Sequence, residues 1–283
     1  MKKIGFVDYY ISEWHANVYP GWIKEICEAK GLDLTVAYAY AERDVSPVDG
    51  RTTDEWCKEY GVEKCNSIEE LCEKSDFILI LAPSNPETHL RLAETVLKYG
   101  KNTYIDKTFA PDAATAKRIY ELAEKYNTKF FSTSALRYAD EIEPFKGKCD
   151  SATVFGSGSN LPEYIVHTVE MAVCLTGVGA SEVRVDRSPD QFNIRIKHED
   201  GNAVNILYTD NYALPFAFVT HTEKQGAEYH TVGSEYFRRL LGVVLDFFVT
   251  GQLPFASEET METMKIREAI IKASGDDGIW TKI

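Results

Sequence analysis

The chain has 283 residues, long enough for two domains of ordinary size, and its composition of 44% hydrophobic and 27% charged residues is that of a folded globular protein. A formal net charge of −13 speaks against nucleic acid and against an anionic membrane surface, both of which call for clustered Lys and Arg. No apolar stretch approaches the roughly 20 residues of a membrane span, Met1-Lys2-Lys3-Ile4 reads as a first strand, and the six cysteines form no CxxC pair, so reduced thiols and a cytoplasmic location are expected.

In chain order, strands are expected over residues 3–8, 34–41, 77–82, 103–106 and 129–132, with a helix between each pair. Pro20 can kink or restart the first helix, which ends near Gly31; the next runs over 53–60 and stops at Gly61. Ser67-Ile68-Glu69-Glu70 reads as a capping box. Pro86 suits a first helical position, Gly100 closes that helix, and Asp112 caps the one that runs to about residue 126. Phe77-Ile78-Leu79-Ile80-Leu81 is apolar without alternation, the mark of a strand covered on both faces. The expected fold is α/β: a Rossmann-like, doubly wound parallel sheet with its ligand crevice at the carboxyl ends of the strands.

After about residue 145 the pattern changes. A strand near 152–156 and a helix near 162–176 precede alternating segments in which Val183/Val185, Phe192/Ile194/Ile196 and Val204/Ile206/Tyr208 interleave with polar residues. Asp200-Gly201 closes a hairpin, and helices over about 234–250 and 258–273 follow. Residues 1–140 are therefore expected to form the Rossmann-like domain, and 141–283 an α+β domain around an open antiparallel sheet.

Two stretches carry a resemblance. In "APSNPETHLRLAETVLKYGKNTYIDKTFA", Pro83, Asn85, His89, Gly100-Lys101 and Asp106-Lys107 are spaced as in the Gfo/Idh/MocA oxidoreductase family, with Thr108 where the family has proline. In "EYIVHTVEM", Glu163, His167 and Glu170 match an acid–His–acid pattern of that family, with Glu in place of the usual Asp. Positions i and i+4 share a helix face, so Glu163 can orient the His167 ring. The resemblance implies hydride transfer between NAD or NADP and a carbon bearing a hydroxyl, on a sugar or polyol. His167 would be the base, Lys107 the cation that steadies the oxyanion, and Glu163 the orienter. It also implies cofactor contacts from Asp8, Tyr10, Ile11, Glu42, Arg43, Pro83, Ser84, Asn85, His89, Asp106 and Lys107, and a homodimer or homotetramer through the open sheet face.

The turn after the first strand departs from that pattern. A Rossmann turn uses glycine so that bare backbone can approach a pyrophosphate. Here Asp8, Tyr10 and Glu13 stand where glycines are expected. A like-charge pair at about 4 Å and an effective dielectric of about 20 costs about 4 kcal/mol, roughly three decades of affinity. Glu42 favours an unphosphorylated ribose and Arg43 a 2′-phosphate, so the pair leaves NAD and NADP both open. A second function therefore stands beside the first: a non-catalytic relative that binds a metabolite or a protein partner without a nicotinamide. His15, next to Trp14, either edges the core or lines the altered pocket. Gly156-Ser157-Gly158-Ser159-Asn160 is either an anion cradle or a connector into the next helix.

Overall fold

The computed structural model describes residues 1–222 and 226–283. The chain divides into two units. The first holds Met1–Thr133 and Leu240–Pro254; the second holds Ser134–Arg239 and Phe255–Ile283. The division falls at residue 134 where the sequence pattern suggested about 140, and a C-terminal segment returns to the first unit.

The first unit runs β1 (Lys2–Asp8), α1 (Trp14–Lys30), β2 (Leu34–Ala41), α2 (Thr53–Tyr60), β3 (Glu63–Lys64), α3 (Ile68–Lys74), β4 (Phe77–Ile80), α4 (Pro86–Val96), β5 (Thr103–Ile105), α5 (Ala113–Lys125) and β6 (Phe130–Phe131). Its six strands lie in the order β3-β2-β1-β4-β5-β6, all parallel, so the strand order reverses between β1 and β4. That reversal places a crevice at Asp8 and the end of β4. The two-residue β3 is too short to show as a strand pattern in sequence.

Local chemistry explains the boundaries. Gly31 and Gly61 end α1 and α2 with φ of 66° and 65°, where a side chain would be strained. Pro20 sits inside α1 without ending it. Ser67 Oγ accepts the Glu70 amide at 3.1 Å, but the Glu70 carboxylate takes the amide of Asn66, so the expected capping box is only half made. The complete capping box is Thr52–Glu55, at the start of α2. Asp112 caps α5 through the Thr115 amide at 2.6 Å.

One close approach demands glycine. A Cβ on Gly5 in β1 would lie 2.4 Å from Ser75 Oγ and 2.5 Å from Leu71 Cδ2, so α3 packs directly on bare backbone.

The second unit contains β7 (Ser151–Ser157), α6 (Leu161–Thr176), β8 (Ala180–Ser188), β9 (Gln191–His198), β10 (Ala203–Thr209), β11 (Ala217–Thr222), β12 (Gly226–Thr231), α8 (Ser257–Ala273) and β13 (Trp280–Lys282); α7 (Tyr236–Thr250) lies between β12 and α8 in the chain. The sheet order is β12-β11-β7-β10-β9-β8-β13. It is mixed, not purely antiparallel, because β10 returns beside β7 in parallel after the α6 crossover. Val183, Val185, Ile194, Ile196, Val204 and Ile206 are buried on one face with residues of α6 and α8, while Asn193, Arg195 and Asn205 between them are exposed.

Most of α7 belongs to the first unit because its apolar face finds partners there. Phe248 stacks on Phe77 at 4.9 Å and Phe247 meets Phe131 edge-on at 5.3 Å. Asn102 donates to the Phe248 carbonyl, and Lys30 pairs with Asp246. No described helix is long and apolar enough to cross a membrane.

Candidate functional site

In the first unit, the turn between β1 and α1 is built from its own carboxylates. Asp8, the last residue of β1, is 1% exposed. Its Oδ1 accepts the Tyr9 amide at 2.7 Å and, across the strand reversal, the Ala82 amide at 3.1 Å. Its Oδ2 is buried with no hydrogen-bond partner among the described residues. Burial, reinforced by the charge of Glu13, pushes the Asp8 carboxyl well above the usual carboxylate range. Glu13 is the N-cap of α1, and its two oxygens take the first amides of the helix, His15 at 2.8 Å and Ala16 at 2.5 Å. It is 7% exposed, and burial raises its carboxyl too, against the opposing pull of His15. Ile11, between these two, is buried.

Sequence reasoning left His15 open and did not pair it. The structure buries it against Asp106, beyond the end of β5, with Nδ1 facing a carboxylate oxygen at short range. The Tyr19 ring stacks on His15 at 5.1 Å, one turn along α1. Tyr104 and the Lys107 amide donate to the other Asp106 oxygen, at 3.2 and 2.8 Å. Burial opposes ionisation of Asp106, but His15 and Lys107 outweigh it and hold the carboxyl below its ordinary range. The His15–Tyr19 spacing of i, i+4 was the one legible signal of this cluster.

Lys107 follows directly. It is half-buried, its Nζ lies 3.5 Å from the Pro83 carbonyl, and its bond to Thr108 is cis. Asn85 is the N-cap of α4 and donates from its side chain to Glu87, while Ser84 beside it is exposed. His89, an expected cofactor contact, is instead wholly buried. Its Nδ1 and Nε2 face the carbonyls of Phe109 and Leu81 at 2.9 and 2.6 Å, so it braces the loops after β4 and β5. Both carboxylate oxygens of Glu42 bond the Arg91 guanidinium, and the Arg43 amide donates to the Tyr9 carbonyl at 2.8 Å.

These residues do not fit the phosphates of a dinucleotide in the ordinary Rossmann pose. The helix amides and turn amides that would receive a pyrophosphate already hold Glu13 and Asp8, and both oxygens of the acid after β2 are taken by Arg91.

The second unit carries its own candidate group. Asn160 caps α6 by accepting the Glu163 amide at 2.9 Å, and its side-chain amide reaches the Glu163 carboxylate at 3.2 Å. One turn on, His167 Nδ1 pairs with Ser134 Oγ at 2.7 Å. Ser134 opens a single 3-10 turn, Ala135–Tyr138, which is fastened to α6 by the buried pair Arg137–Glu170 at 2.6 Å. Aromatic rings surround the imidazole: Tyr164 at 5.9 Å and Phe216 at 5.7 Å, with Tyr212 against Tyr164 at 5.8 Å. A hydrogen bond with Tyr212 pushes the Tyr164 hydroxyl up to about 12. A Cβ at Gly158 would fall 2.2 Å from the Tyr164 ring, so the glycine run leaves room for that ring on its way into α6. Among the described residues, no cluster of His, Cys, Asp or Glu has the arrangement of a metal site.

A parallel sheet with its strand reversal beside the first turn, followed by a mixed sheet covered by two helices, defines a Rossmann-type α/β architecture. Residues 28–134 match the model of the Gfo/Idh/MocA oxidoreductase family, described as having an NAD-binding Rossmann fold. Over that segment the chain is similar to that family. Among solved structures, it is similar to myo-inositol dehydrogenase from Lactobacillus casei in complex with NAD(H) and myo-inositol, with a TM-score of 0.78 at 10% identity, covering 100% of this chain and 96% of that one. It is also similar to the apo scyllo-inositol dehydrogenase from Lactobacillus casei, with a TM-score of 0.74 at 14% identity over 99% and 98% of the two chains. A third is GenD2 from gentamicin A biosynthesis in complex with NAD, with a TM-score of 0.73 at 13% identity over 100% and 97%. At these identities the likeness is one of fold. A comparison with curated proteins finds no significant match.

Proposed function

We propose that the chain handles a hydroxylated small molecule of the sugar or polyol type, with His167 as the candidate base and Glu163 assisting from the first turn of α6, and with Lys107 as the candidate cation of the first unit. The observation that carries this reading is the His167 ring, fixed by Ser134 and flanked by Tyr164 and Phe216. Aromatic faces suit the C–H faces of a sugar ring, and an imidazole suits a hydroxyl.

The reading has two forms. In the first, the chain is an NAD- or NADP-dependent oxidoreductase acting on CH–OH groups, as the match of residues 28–134 to an oxidoreductase family favours. His167 then takes the hydroxyl proton. Cofactor contacts fall to Tyr10, Ile11, Glu42, Arg43, the 83–85 loop and Asp106. In the second, it binds its small molecule without a nicotinamide, which the filled turn at Asp8 and Glu13 favours. A homodimer or homotetramer through the open sheet face, in the cytoplasm, accompanies both.

The test is calorimetric titration with myo-inositol, scyllo-inositol and a panel of hexoses, together with a turnover assay using NAD and NADP. His167→Ala and Lys107→Ala are each expected to weaken binding by at least about tenfold, or roughly 1.4 kcal/mol. Turnover lost in both variants selects the first form; binding without turnover selects the second. Binding that survives both substitutions refutes the assignment of the site.

A further inference from the structure

We infer that Glu13, with Asp8, is a built-in occupant of the seat where a Rossmann turn receives a dinucleotide's pyrophosphate, and that it excludes NAD(P) from that seat. This rests on the second form of the function above.

A helix offers its first amides to an anion because they have no partner within the helix. In α1 the amides of His15 and Ala16 both end on the Glu13 carboxylate, and the Asn17 amide ends on the Glu13 carbonyl. The Glu13 side chain therefore takes two donors that the helix itself cannot satisfy, and the Asn17 bond is the first ordinary bond of the helix. At the strand reversal, the amides of Tyr9 and Ala82 end on Asp8. The chain thus supplies two carboxyl groups where the ligand would bring two phosphates.

The surroundings commit these groups to their places. Glu13 and Asp8 are both buried, so neither swings out to solvent without opening the turn. His15, whose amide Glu13 holds, is fastened through its ring to Asp106. Ser12, next to Glu13, donates to Asp49 at 2.7 Å, and its carbonyl accepts from Ser46, so the turn is also tied to the loop after β2. The groups that face the two acids are His15 and, through Asp106, the Lys107 ammonium. A dinucleotide would have to displace carboxylates that are covalently present at high effective concentration and then sit beside them.

The experiment compares the full chain with Glu13→Gly and with the double variant Glu13→Gly/Asp8→Asn. Glycine is tolerated at an N-cap far better than alanine, so the helix should persist. The readouts are the melting temperature and calorimetric titration with NADH, NADPH and inorganic sulfate. The wild-type chain is expected to show no shift at about 1 mM dinucleotide. The double variant is expected to bind at least about a hundredfold more tightly, as removal of like charge and release of helix amides predict, and Glu13→Gln, which keeps an acceptor on the amides, is expected to stay near wild type. Tight dinucleotide binding by the wild-type chain overturns the inference, and so does a folded double variant that gains nothing. If that variant does not fold, amide hydrogen exchange on the wild-type chain decides. Protection of His15 and Ala16 unchanged by NADH supports the inference, and added protection in its presence overturns it. Sugar or polyol binding is read in separate titrations, so a failure of that reading is distinguished from a failure of this one.

Discussion

Glu170→Ala tests whether the candidate group of the second unit rests on a buried ion pair. The Arg137 and Glu170 side chains are 4% and 2% exposed and meet at 2.6 Å. Removing one partner of such a pair leaves a buried charge behind, which costs about 3–5 kcal/mol. Arg137 keeps two other supports, Glu259 at 2.7 Å and the Phe255 ring 3.9 Å from its guanidinium carbon, so the low end applies, about 3 kcal/mol. For a domain of this size that is roughly 6–12 °C in melting temperature. The loss should extend to function, because the pair fastens the turn that carries Ser134 onto α6, and Ser134 holds the His167 ring. Thermal and urea unfolding of Glu170→Ala, Arg137→Met and the double variant give the coupling as a cycle. A coupling below about 1 kcal/mol, or a His167 ring whose nitrogen chemical shifts do not move in Glu170→Ala, would refute the reasoning.

Two further outcomes follow from the first unit. Gly5→Ala forces a methyl into Leu71 and Ser75 and should destabilise by about 1–3 kcal/mol, measured by urea unfolding; a neutral result would mean that α3 can move aside. Asp8→Asn tests the buried carboxyl. Its folded titration lies well above the ordinary value of 3.8, so the stability it contributes is fully present below that value and is lost as pH rises through the folded one. Asparagine does not titrate, so the stability of the variant relative to wild type should rise across that window, measured by urea unfolding over a pH series. A difference that stays flat with pH would contradict the assignment.

The unbroken apolar run at residues 77–81 required a strand covered on both faces, and Gly31, Gly61 and Asp112 fixed helix ends by local backbone chemistry alone. The missing glycines at Asp8 and Tyr10 were visible as a departure because a turn's needs are local. Pairing was not visible. Asp106 is 91 residues from His15, Glu170 is 33 from Arg137, and Ser134 is 33 from His167. Nor could the sequence assign α7 to the first unit, because an apolar helix face matches any apolar surface and only packing against Phe77 and Phe131 selected one. Periodicity and caps depend on neighbours within a turn or two, so the sequence determined the elements and the parallel architecture. Which carboxylate meets which amide or imidazole depends on where the sheet brings distant strand ends together, and that was decided by tertiary structure alone.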